Sequence, residues 1–146
     1  MEITSELVSR YVKGARPFAE SATEQLAIKL AARINSPPKR VRMMRRNPYR
    51  PSAKKLSKPE AQVRSWQDLI MKELHTAFCT RSRRYQKYVA AFSDNVHLLI
   101  GGIAVYVAGQ IGVAVAIVAA LVAALLRVVC TMGVSVFCRR FEAGWL

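Results

Sequence analysis

The sequence predicts an all-α protein, a small helical N-terminal region followed by a C-terminal transmembrane helical hairpin. Three observations predict it. Residues 97–138 hold only five strongly polar side chains, His97, Gln110, Arg127, Thr131 and Ser135, so no water-facing helix or strand could present them. As one straight helix that run would reach about 63 Å, far beyond the hydrocarbon core of a bilayer. Upstream, apolar residues recur at helical spacing in separate stretches. A 146-residue chain of net charge +14 leaves too little other apolar sequence to wrap the run on every side, which favours lipid over a protein interior.

Residues 1–36 read as an N-terminal amphipathic helical pair. Glu2 and Glu6 and the lack of an apolar core argue against a secretory signal and weaken a mitochondrial presequence, leaving the membrane segment as its own targeting signal. Ile3, Leu7, Val8, Tyr11 and Val12 predict a helix over 3–13, ended near Gly14 and Pro17. Ser21 and Glu24 form a capping box for a second helix with Leu26, Leu30 and Ile34 on one face, stopped by Ser36, Pro37 and Pro38. These helices either dock a partner or cover their own apolar stripe, and the second is favoured.

Residues 37–58 form a basic, proline-punctuated linker. Lys39, Arg40, Arg42, Arg45, Arg46, Arg50, Lys54, Lys55 and Lys58 crowd into it, and Pro37, Pro38, Pro48 and Pro51 prevent a single helix. Beside a membrane segment such a run attracts anionic lipid, by about 1 kcal/mol for each basic residue near the surface. It could instead neutralise nucleic-acid phosphates, or be a solvated linker that only sets topology. Lipid is favoured over nucleic acid because only Tyr49 is available to stack on a base and no nucleic-acid-binding motif frames the charge.

Residues 59–92 predict a juxtamembrane amphipathic helix. Ser57 and Glu60 cap it, Pro59 fits its first turn, and Val63, Trp66, Ile70, Leu74 and Ala77 make its apolar stripe. The periodicity resumes at Tyr85, Tyr88, Val89 and Phe92, so one long helix running into the membrane is expected. Arg81, Arg83, Arg84 and Lys87, interleaved with Tyr85 and Tyr88, suit headgroup level.

Residues 93–140 are the expected transmembrane hairpin, and 141–146 a short tail. Gly109, Gln110, Ile111 and Gly112 hold the turn signal. Pivoting there sets Asp94 and Arg127 at equal sequence distance from the turn, so they would meet at one depth as an intramembrane ion pair. The helices must then run past those charges, onward as far as Cys138. One alternative is a single long transmembrane helix, in which Ala104, Ala108, Gly112, Ala116, Ala120 and Ala124 form a ladder of small residues for helix packing, and another is a buried helix pair within a larger complex.

The sequence carries no enzymatic motif. Cys79, Cys130 and Cys138 are too dispersed for zinc, and their odd number argues for packing residues rather than a disulfide framework. His75 reads as an exposed helix residue, and His97 as snorkelling or paired with Asp94. No cofactor or metal is expected. The function expected is therefore non-enzymatic: an integral membrane interaction protein, bound to anionic lipids, that self-associates through small residues as a homo-oligomer and opens a pore or perturbs the bilayer. The alternative is an accessory subunit that anchors a larger membrane complex or nucleic acid through the basic segment. Basic residues flanking both ends of the hairpin predict a cytoplasmic N-terminal region.

Overall fold

The computed structural model describes residues 3–35, 57–80, 82–90 and 95–144, and every regular element among them is helical. Helix α1 (Ser5–Ala15) starts at Thr4, whose hydroxyl accepts from the Leu7 amide at 3.2 Å, and buries Leu7, Val8 and Val12. A 3-10 turn at Arg16–Phe18 redirects the chain into α2 (Ala22–Asn35). The Ser21 hydroxyl accepts from the Glu24 amide at 3.1 Å, as the capping signal requires. The face α2 buries is Ala27, Ile28 and Ala31; the expected stripe of Leu26, Leu30 and Ile34 is only half-buried. Small residues let α2 approach its neighbour closely, which outweighs the larger hydrophobic payload of the leucines.

Helix α3 (Lys58–Cys79) begins as the sequence signals, with the Ser57 hydroxyl accepting from the Glu60 amide at 3.3 Å and Val63, Trp66, Ile70, Leu74 and Ala77 buried. It does not continue to residue 92. It stops at Cys79, the chain turns through 83–85, and a separate short helix α4 (Gln86–Ala90) follows. The break lets Tyr85 turn inward, where only 1% of it stays exposed.

Helices α5 (Val96–Ile111) and α6 (Val115–Met132) form a hairpin packed side by side. Gly112 sits at φ 71°, the left-handed region that glycine reaches without strain, and its amide closes α5 by donating to the Ala108 carbonyl at 2.9 Å. That turn overturns the single long helix. Helix α7 (Val134–Glu142) follows a second break at Gly133, φ 98°, and folds back onto α3 and α6 with Phe137 buried. The expected continuous path from α6 to Cys138 is therefore bent.

The core is α6. Helices α1, α2 and α5 pack along it, α3 and α7 complete the enclosure, and every residue over 117–126 is buried. The expectation that the chain has too little apolar sequence to wrap this run fails for a physical reason. Ala116, Ala119, Ala120, Ala123 and Ala124 make α6 a thin cylinder, and one apolar face from each of several amphipathic helices is enough to surround it.

Candidate functional site

The hairpin is the part of the molecule whose chemistry differs most from an ordinary helical surface. Within the described residues, Val115–Met132 is the one helix long and apolar enough to cross a membrane, with a mean hydropathy of 2.5. Helix α5 is apolar but shorter, at 16 residues. Its inner face, Val96, Leu99, Ile100, Ile103, Ala104, Val107 and Ala108, is buried against the bundle. Its outer face carries Leu98, Gly101, Val105 and Gly109, with Leu98 47% and Val105 60% exposed and no charge among them. Among the described residues, Val115 and Val128 of α6 are also exposed, so the hairpin holds four of the five exposed large apolar side chains, the fifth being Phe18.

Polar contacts tie this hairpin to its wrapping at named points. Arg127 donates through Nη1 to the Asn35 carbonyl at 2.9 Å and to Asn35 Oδ1 at 2.7 Å. Asn35 in turn donates to the Ser9 hydroxyl at 2.7 Å, so one cation connects α6, α2 and α1. At the start of α5, the Tyr11 hydroxyl and His97 Nδ1 share a hydrogen bond of 2.6 Å. Burial raises the Tyr11 phenol above its ordinary range, against a downward pull from Arg10.

A second cluster fastens α3 to the turn before α4 and to α5. Glu73 is 7% exposed; it accepts from the Tyr85 hydroxyl at 2.6 Å and from Arg84 Nη1 at 3.3 Å. The Arg84 guanidinium lies 4.0 Å from the centre of the Tyr106 ring on α5. Burial, together with the hydrogen bond to Glu73, pushes the Tyr85 phenol well above its usual range.

Helix α7 is fastened covalently. Cys79, the last residue of α3, and Cys138 of α7 form a disulfide with Cα atoms 5.9 Å apart, while Cys130 is free. This corrects the reading of Cys79 and Cys138 as packing residues: the odd count hides one pair and one spare. His75, expected to be exposed, lies against α7 instead. It stacks on Phe141 with ring centres 4.4 Å apart and contacts Glu142 at 3.4 Å.

The expected site residues are thus distributed unevenly. Lys39, Arg40, Arg42, Arg45, Arg46, Arg50, Lys54, Lys55, Arg81 and Asp94 lie outside the described residues, so the expected Asp94 to Arg127 pair cannot be described and Arg127 is found with Asn35. Lys58 opens α3, Arg83 and Lys87 are exposed, and Tyr85 points inward rather than to a headgroup layer. Of the small-residue ladder, Ala104, Ala108, Ala120 and Ala124 are buried among the chain's own helices, Ala116 is half-buried, and Gly112 occupies the turn. Sequence reasoning missed Asn35, Tyr11, Glu73 and the Cys79–Cys138 pair. A signal existed only for Asn35, a residue ending a helix just before a double proline.

Among the described residues, no group of three or more His, Cys, Asp or Glu is arranged to hold a metal ion. No protein-family model matches the chain, and no curated protein or solved structure matches it either.

Proposed function

We propose that this chain is a non-enzymatic membrane interaction protein that carries an apolar hairpin inside an amphipathic wrapping and acts by exchanging that wrapping for lipid. The observation that carries this reading is the character of Val115–Met132, which is long and apolar enough to cross a membrane and carries Arg127 as its one charge. Lipid tails are as apolar as the side chains that now surround α6, and a helix satisfies its own backbone hydrogen bonds, so transfer leaves the backbone satisfied and Arg127 as the side chain in need of a partner. The uncharged outer face of α5 offers a first contact with the bilayer. The amphipathic helices α1, α2 and α3 suit an interfacial position once released, with apolar faces down and basic residues near anionic headgroups.

In this reading the inserted hairpin keeps both ends on the cytoplasmic side, because basic residues flank it at each end. Arg127, freed from Asn35, then needs a partner, and Asp94, the acid that precedes α5 in the chain, is the candidate. The small residues that the bundle uses internally become available between copies, which supports self-association and opening or disturbance of the bilayer.

The test is release of a trapped dye from vesicles, with and without anionic lipid, by the full chain, combined with alkaline carbonate extraction. Release that is stronger from anionic vesicles, and protein that resists extraction, is the expected result. A protein that stays in solution and leaves vesicles intact would make α6 the core helix of a soluble bundle. Capture of RNA or of a larger membrane complex by such an inert protein would favour the accessory-subunit reading.

A further inference from the structure

We propose that the Cys79–Cys138 disulfide is a thiol-operated latch that holds α7 folded back on α3 and so keeps the apolar run from lengthening into a full membrane span. The inference deepens the membrane reading above and rests on it. Helix α6 has 18 residues, about 27 Å by helical rise, slightly short of a hydrocarbon core of about 30 Å. The residues able to complete the span, Val134, Val136, Phe137 and Cys138, are the next in the chain. They do not continue α6, because the chain breaks at Gly133 and α7 packs on α3 with Phe137 buried. Straightening at Gly133 would extend the span to Cys138 and bring Arg139 and Arg140 to headgroup level, where basic side chains anchor. Cys138 cannot make that movement while it is bonded to the end of α3.

The disulfide also encloses the whole hairpin, since α4, α5 and α6 all lie between residues 79 and 138. Any state in which α3 leaves α7 is therefore closed to the oxidised chain. The other contacts that hold α7 are non-covalent: the buried Phe137, the stack of His75 on Phe141 and the contact with Glu142. A helix of nine residues is not stable alone, so α7 depends on these attachments. On the cytoplasmic side, where thiols are kept reduced, such a disulfide forms on oxidation and is transient, so oxidation closes the latch and reduction reopens it.

The chemistry needs a dithiol reductant of the thioredoxin class. One thiolate of the reductant attacks a sulfur of the pair, and the displaced cysteine leaves as a thiolate and takes a proton. The second thiol of the reductant then displaces the remaining cysteine from the mixed disulfide. Two electrons pass to the protein, Cys79 and Cys138 end as thiols, and the reductant becomes a disulfide.

The experiment uses the full chain carrying Cys130→Ser, to remove disulfide exchange, and compares it oxidised, reduced by dithiothreitol, and with Cys79→Ser and Cys138→Ser added. Two readouts are taken: amide hydrogen exchange over α7 in solution, and dye release from phosphatidylcholine vesicles containing phosphatidylserine. The latch predicts faster exchange in α7 on reduction and release faster by at least about tenfold, given what closing a loop of this length contributes. It also predicts that reductant has no effect once both cysteines are serine. Equal exchange in the oxidised and reduced chains overturns the latch whatever the vesicles do, and so does equal release. Faster exchange without release in any state sinks the membrane reading and, with it, the latch's role in insertion. Cys79 and Cys138 that stay free thiols after mild oxidation overturn it at the outset.

Discussion

Arg127 caps the C-terminal end of α2 through Asn35, donating to that residue's carbonyl at 2.9 Å and its side-chain oxygen at 2.7 Å. The only charge between Val96 and Met132 thus meets the negative end of a helix dipole, and the apolar core helix is registered against the N-terminal helices by one side chain.

Arg127→Gln should therefore destabilise the bundle by about 2 kcal/mol, the usual worth of hydrogen bonds from a charged donor. Asn35→Ala should cost less than this, because the carbonyl contact remains. In denaturant unfolding of the lipid-free protein, the double variant should be less destabilised than the two single effects combined. Strict additivity would mean the two residues do not act together.

Tyr85→Phe should cost about 1–3 kcal/mol, because it leaves the buried Glu73 carboxylate with Arg84 alone. Alkali provides a second check. The Tyr85 phenol ionises at a higher pH in the folded protein than in the unfolded chain, so the unfolded state loses its proton first. The contribution is fully present below about pH 10, the unfolded value, and is lost as pH rises beyond it. Thermal unfolding of the wild type should fall more steeply above that pH than unfolding of Tyr85→Phe.

Reduction of Cys79–Cys138 should lower stability in solution by about 4 kcal/mol, from the chain entropy of a loop of this length. The check is the urea midpoint with and without reductant, in Cys130→Ser. An unchanged midpoint would mean that the disulfide contributes nothing to the stability of the bundle.

Val105→Asp separates the bundle from the membrane. Val105 is 60% exposed on α5, so the substitution should change folding stability by no more than about 0.5 kcal/mol. In lipid it sets a charge near the middle of a helix, which costs about 3 kcal/mol on insertion scales. Dye release should fall sharply while the unfolding midpoint stays in place. Ala120→Leu should do the reverse in solution, overpacking the core by about 1–3 kcal/mol.

The sequence by itself determined the helical class, the inward faces of α1 and α3, the caps at Ser21 and Ser57, and the glycine at which the hairpin turns, Gly112, although Gly109, Gln110 and Ile111, expected in the turn, stay in α5. These are local matters: periodicity, a hydroxyl three residues before an acid, and glycine at a left-handed position act over a few residues. Only the tertiary structure decided where the polar side chains of the apolar run would go. Arg127 finds Asn35, His97 finds Tyr11, and Cys138 finds Cys79, each across a long stretch of chain that periodicity does not bridge. The break before Tyr85 was likewise invisible, because its periodicity continued that of α3 while the buried Glu73 required the phenol on the inside. The same holds for the wrapping of α6. Composition counts apolar residues, but whether a few amphipathic faces enclose a helix depends on how thin it is and how closely they approach, and both follow from the alanines of α6 meeting the small residues of α2 and α5.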